Sequence, residues 1–228
     1  MSVVRVSDSI FARALGADFD RLHPRLRRRF GFAAADGIAC IGSGSMERIW
    51  RGRAFTLPFL HVGSARHILF PETGHDVPFT IENWAYRDRY GRDTMTFVRT
   101  FELARRRRRF DATMIYSPLR RGIVDYLGTH QHLAVDLNVS VDARGGLRIR
   151  SGAQRFLRTR WPEYLTGVAD LREWYDDASE RFRIQVAVTH PRFGPLFGYS
   201  GSFVTSYVDT GTTPVPACAK PVRENPRE

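Results

Sequence analysis

Between Thr94 and Phe101 the chain alternates with a period of two. Met95, Phe97 and Phe101 fall on one face, and Thr94, Thr96, Val98 and Thr100 fall on the other. This is the period of a half-buried β-strand, whose successive side chains point to opposite faces. Tyr90-Gly91-Arg92-Asp93 supplies turn residues just ahead of it, so residues 78–103 predict an antiparallel hairpin. One residue breaks the pattern: Arg99 shares the face of Met95, Phe97 and Phe101. A guanidinium directed into an apolar face requires a carboxylate, a ligand or water.

The period recurs along the chain. Leu133, Val135, Leu137, Val139 and Val141 alternate with Ala134, Asp136, Asn138 and Ser140, and Asp142-Ala143-Arg144-Gly145-Gly146 then turns the chain into Leu147 and Ile149. Further strands are predicted over 171–176, from Phe182 to Val188, and over the glycine- and aromatic-rich stretch 196–208. Residues 37–51 also start β-like. Their Gly42-Ser43-Gly44 is no dinucleotide fingerprint, because the third glycine would have to stand at Glu47, so a strand kinked or bulged at glycine is expected. Residues 105–109 are five consecutive arginines, read as a charged connection between a strand ending at Leu103 and another starting at Phe110.

Helical signals are confined to the N-terminal part and to connections. Ser7 or Ser9 can cap a helix carrying Ile10, Phe11, Ala14 and Leu15, before Gly16. After His23-Pro24, Leu22, Leu26 and Phe30 form one stripe with the arginines outward, and Gly31 ends it. Residues 53–70 read as a short helix or loop over one end of the sheet, and 162–168 as a short helix or loop.

The expected fold is mostly β (α+β): a curved antiparallel sheet or β-barrel of about eight to ten strands, with short N-terminal helices, because a twisted sheet of that size closes or splits. Strands and helices do not alternate regularly, which excludes a parallel sheet. One domain is expected over 1–209. From Thr210 onward threonine, proline and charge dominate, which predicts a disordered tail over 210–228.

With 228 residues, 43% of them hydrophobic, the chain can bury one sizeable core. No window approaches the roughly 18 apolar residues of a membrane span, and the N-terminus lacks the pattern of a signal peptide. Two distant cysteines, Cys40 and Cys218, make no disulfide framework, so a reducing cytoplasm is expected. The net charge of +11 would invite nucleic acid, but Lys220 is the only lysine. So strong a preference for arginine reads as codon bias in a GC-rich genome, and no specific nucleic-acid partner is expected.

The stretches PFTIENWAYRDRYGRDTMTFVRTF, FDATMIY, IVDYLGTHQHLAVDLNVSV and HPRFGPLFGYSGSF resemble the bacterial family called domain of unknown function 4166, over about residues 11–208. The resemblance implies a bacterial, cytoplasmic domain that stands alone or is attached to dehydrogenase-like or membrane segments. It supplies no catalytic residues.

The residues themselves suggest a polar cluster inside a barrel. Glu82, Asn83 and Trp84 lie on the arm opposite Arg99, and Glu82 or Asp125 is a candidate to neutralise it. With Tyr199 these form the expected ligand-binding set, in an interior otherwise lined by Phe, Met and Tyr. Neither a cofactor nor a metal is expected. His130-Gln131-His132 lacks a third ligand within reach, Asp136 being too far along the strand. His190 with Asp125 or Asp136 is an acid–base pair only if the fold brings them together. Three functions fit: a barrel that binds a small, largely apolar molecule, with or without an anionic group for Arg99; an enzyme using Glu82, Arg99 and Asp125 for acid–base chemistry; or an accessory domain for a dehydrogenase-like partner, with a filled interior. A buried Arg–Glu pair that merely fixes register would mimic the first two.

Overall fold

The computed structural model describes residues 9–157, 159–162 and 166–226. The N-terminal signals give helix α1 (Ile10–Leu15), capped by the Ser9 hydroxyl accepting from the Ala12 amide, and helix α2 (Pro24–Phe30). Strand β1 (Ile38–Arg51) follows, and its long connection to β2 (Gly74–Arg87) contains helix α3 (Leu57–Ser64). After the hairpin to β3 (Asp93–Leu103) come β4 (Arg106–Ser117), β5 (Gly122–Leu127), β6 (Leu133–Val141) and β7 (Leu147–Phe156). A two-residue strand β8 (Thr159–Arg160) pairs only with β7, and β9 (Val168–Asp176), β10 (Arg181–His190) and β11 (Gly194–Asp209) complete the sheet.

The strands are antiparallel neighbours in the order β6-β5-β4-β3-β2-β1-β11-β10-β9-β7, and pairing of β6 with β7 closes the circle. The result is a ten-stranded antiparallel barrel with β8 attached to its rim. Closure removes both sheet edges. The alternation read in β3 and β6 holds: Met95, Phe97 and Phe101 join the interior cluster, as do Leu137, Val139 and Val141. In β1 the strand runs unbroken past Gly42 and Gly44, and its register with β11 shifts between Ser45 and Arg48. The glycines serve close packing: a Cβ on Gly42 would sit 2.7 Å from Ile81 Cγ2 and 2.8 Å from Phe203 Cδ2.

Antiparallel strands send successive connections to opposite ends. At one end α1 and α2 plug the barrel, where Phe11 and Phe30 pack against each other and against Phe97. At the other, α3 and the segment after it fold over the rim, and Phe70 packs on Phe101 and Phe197.

The arginine run is strand rather than connection from Arg106 onward. Acids neutralise it in place: Arg107 pairs with Glu102 at 2.9 Å, Arg108 with Glu72, and Arg109 with Asp111 at 2.9 Å. Of residues 162–168, read as a short helix or loop, 163–165 lie outside the described residues, and Val168 already begins β9.

The C-terminal segment has the composition of a disordered tail. Residues 210–226 lie along the outside of the barrel: the Val222 amide donates to the Thr129 carbonyl at 2.8 Å, and Arg109 donates to the Cys218 carbonyl. Ala219 is buried against Ala39, Trp84 and Val98, which is why the outward face of β3 is covered rather than wet. Among the described residues no helix is long and apolar enough to cross a membrane. Cys40 is buried and Cys218 exposed, both as free thiols.

Candidate functional site

The closed barrel turns the odd residue of β3 into a buried charge. Arg99 is 3% exposed, and its guanidinium carbon lies 4.8 Å from the Phe110 ring centre and 5.5 Å from that of Phe97. Its Nε and Nη1 are buried with no hydrogen-bond partner among the described residues. Faces of aromatic rings compensate part of a guanidinium's lost hydration, but they satisfy none of its N–H groups.

The guanidinium borders a cavity of about 130 Å³ on the β4–β10 side of the interior. Leu127, Leu133, Leu137, Ile149 and Leu171 are among the apolar side chains of its wall, and Phe59 of α3 with Ile68 and Leu69 lines it from the rim. Four polar side chains reach it: Arg99, Asp125, Ser151 and Gln154. Two are already engaged, since Ser151 Oγ accepts from the Ala169 amide and Gln154 Nε2 donates to the Gly167 carbonyl. Arg99 and Asp125 remain.

Asp125 stands on β5, two positions from Ile123 and Leu127, and shares their inward face. Its Oδ1 is buried without a hydrogen-bond partner, and it makes no ion pair with Arg99 within 4 Å among the described residues. Burial pushes its carboxyl up to about 7, although the charge of Arg99 pulls the other way. Tyr199 lies within the same field. Burial pushes its phenol up to about 12, so it remains a hydrogen-bond donor, and its hydroxyl too lacks a partner. Asn83 is also inward and wholly buried, between Cys40 and Phe97 on the neighbouring strands, with both amide atoms unpartnered. Asn83 and Tyr199 lie outside the cavity lining. An apolar wall broken by Arg99, with two unpartnered N–H groups, and by Asp125, with its carboxyl pushed up to about 7, suits a mostly apolar molecule bearing an acidic group.

The fold therefore brings Asn83, Arg99, Asp125 and Tyr199 to the interior and turns Glu82 and Trp84 away. The rung partner of Arg99 on β2 is Ile81, whereas Glu82 pairs with Val98 on the opposite, outer face. There Trp84 Nε1 donates to Glu82 Oε2 at 2.8 Å beneath the C-terminal segment. One residue of register decides this, because neighbours in a strand face opposite ways. Glu82 does not neutralise Arg99. His190 Nδ1 accepts from the Arg192 and Phe193 amides of its own turn, and Asp136 pairs with Arg155 at 2.7 Å, so His190 is not paired with Asp125 or Asp136 among the described residues. Among the described residues no three His, Cys, Asp or Glu side chains are grouped to hold a metal ion.

Sequence reasoning missed a second polar group inside the barrel. Arg29 is fully buried and its Nε donates to Glu173 Oε1 at 2.6 Å, while its Nη1 lies 3.2 Å from Cys40 Sγ. Burial pushes the Glu173 carboxyl up, and the charge and hydrogen bond of Arg29 oppose that. The signals were present. Arg29 is seven residues after Leu22 and three after Leu26, on the buried stripe of α2, and Glu173 shares parity with Leu171 and Tyr175 on β9.

Among known proteins, the chain is 31% identical over 199 residues to an uncharacterized protein, YndH, of Bacillus subtilis (strain 168), covering 86% of this chain and 96% of the relative. No solved structure matches it. The family model described as domain of unknown function (DUF4166) matches residues 22–203, and the chain belongs to that family.

Proposed function

We infer that the barrel binds a small, largely apolar molecule carrying a carboxylate or similar acid. One observation carries this reading: Arg99 is buried at the wall of an apolar cavity with two N–H groups unpartnered. A charge left so is costly, and a bound anion is what compensates it best. Asp125, when protonated, donates a second hydrogen bond to the same head group, and the leucines of β5, β6 and β9 with Ile149 of β7 hold the body. The two free thiols fit a reducing, cytoplasmic setting for this activity.

A second reading has one observation in its favour. A carboxyl near 7, desolvated and next to a fixed cation, is tuned for proton transfer, so Asp125 acting on the bound molecule would make the barrel an enzyme. The accessory role beside a dehydrogenase-like partner expects a filled interior, and the cavity weighs against it.

Native mass spectrometry of the purified protein, followed by denaturing extraction, tests the binding reading. A stoichiometric acidic, apolar molecule is expected, and it should be absent from Arg99→Met. Retention of the same molecule by Arg99→Met sinks the reading. Loss of turnover with retained binding in Asp125→Asn would select the enzyme.

A further inference from the structure

The mouth of the cavity is also where the surface is least like that of a water-soluble protein. Because connections alternate between the two ends of an antiparallel barrel, those between β1 and β2, between β7 and β9, and between β10 and β11 share one rim. That rim carries Phe55 (53% exposed), Phe59 (57%), Val62 (72%), Phe156 (41%), Trp161 (39%) and Phe193 (52%). The opposite rim has Tyr90 and Leu119 as its large exposed apolar side chains among the described residues. The rim side chains are grouped: the Phe55 and Phe193 rings are 5.5 Å apart, and those of Phe156 and Trp161 are 5.8 Å apart.

Helix α3 makes the point locally. It buries Leu60 completely yet turns Phe59 and Val62 outward, where an ordinary surface helix would be polar. Phe59 also lines the cavity, so the exposed patch and the cavity wall are continuous.

Interspersed with these groups are Arg51, Arg53, Arg66 and Arg192, all exposed. None has an acidic partner within ion-pair distance among the described residues, whereas Glu72 and Glu102 at the same end are already held by Arg108 and Arg107. Aromatic and aliphatic side chains beside unpaired arginines are complementary to a bilayer surface: the former enter the acyl boundary and the latter meet phosphate.

We propose that the barrel docks mouth-first on an anionic phospholipid membrane through Phe55, Phe59, Val62 and Phe193 and the four arginines. Such a contact puts the cavity entrance against the hydrocarbon boundary, so that an apolar molecule can pass between bilayer and barrel without crossing water. The docking rests on the surface alone and stands whether or not the cavity holds a ligand.

Co-sedimentation with vesicles tests it. The full-length protein is expected to pellet with vesicles of phosphatidylcholine mixed with phosphatidylglycerol, weakly with phosphatidylcholine alone, and less as salt is raised. Phe55→Ser combined with Val62→Ser is expected to weaken vesicle binding about tenfold or more without shifting the melting temperature, since both side chains are exposed. Arg53→Ser with Arg192→Ser is expected to remove the preference for anionic lipid. Failure to pellet with the mixed vesicles overturns the proposal, as does undiminished binding by the Phe55/Val62 variant. A concentration-dependent dimer that this variant abolishes, without vesicle binding by the wild type, also overturns it and assigns the patch to a second copy of the chain.

Discussion

Arg29 of α2 donates from Nε to Glu173 Oε1 of β9 across 2.6 Å, and neither side chain has appreciable access to water. The bond ties the N-terminal plug to the barrel wall. The Arg29 guanidinium carbon also lies 4.9 Å from the Phe203 ring centre, yet its Nη2 finds no partner. A pair of this kind is dearly desolvated, and removing one member exposes the full penalty of the other.

Arg29→Met is therefore expected to destabilise the fold by about 3–5 kcal/mol, because it leaves Glu173 buried without its cation. Arg29→Met combined with Glu173→Leu is expected to recover most of that loss. Urea unfolding of the two singles and the double checks it: additive losses would show that the pair is not coupled.

Asp125 makes stability depend on pH in a defined direction. Its carboxyl is held up at about 7 in the folded chain, against a value near 4 when unfolded. Between these values the unfolded chain releases the proton first, so the folded state binds more protons and loses relative stability as pH rises. The decline is expected from about pH 4 to pH 7, to total on the order of 4 kcal/mol, and to level off above. Asp125→Asn is expected to remove this component and to be more stable than the wild type at pH 8. Denaturant melts of both proteins across the range check it, and parallel profiles would refute it.

On the proposed binding reading, the same carboxyl sets the pH dependence of affinity. Protonated, Asp125 donates to a bound carboxylate beside Arg99; ionised, it repels that carboxylate. With octanoate as probe, affinity is expected to fall as pH rises through about 7 and to become flat in Asp125→Asn. Arg99→Met is expected to lose about tenfold or more at any pH, the worth of one charge-assisted hydrogen bond. It should remain folded, since Nε and Nη1 of Arg99 have no hydrogen-bond partner among the described residues for the change to orphan. Calorimetric titration reads all three, and affinity that rises with pH would rule out the assigned geometry.

The fold was legible in the sequence because one face of each strand is buried. That burial writes a period of two directly into β3, β6 and β10, and enough such strands joined by turns must close or split. Arg99 was legible for the same reason, as the one residue that violates its face. Its surroundings were less so. Glu82 reads as a partner only until the register pairs Arg99 with Ile81, and register depends on the turn, which composition does not fix. Arg29 and Glu173 sit in positions that parity and helical spacing mark as buried, but in α2, where arginines fill most of the helix, Arg29 looks like surface. The C-terminal segment is opaque for a different reason: its contacts are largely backbone hydrogen bonds and small side chains such as Ala219 and Val215, which leave little mark in composition.

That segment offers a direct test of how much it contributes. Ala219 and Val215 cover Trp84, Val98 and Ala39, and the backbone from Cys218 to Asn225 bonds to Arg109, Thr129 and Gln131. Lys220 adds an ammonium 5.3 Å from the Tyr86 ring centre. Deleting residues 214–228 uncovers the indole of Trp84 and the isopropyl group of Val98, a loss on the order of 3 kcal/mol at the usual worth of buried apolar side chains. The truncated chain is expected to keep its β-sheet circular dichroism, to melt several degrees lower, and to show red-shifted tryptophan emission that Trp84→Phe removes. An unchanged melt and spectrum would mean that the segment does not hold the barrel surface in solution, and that the outward face of β3 tolerates water.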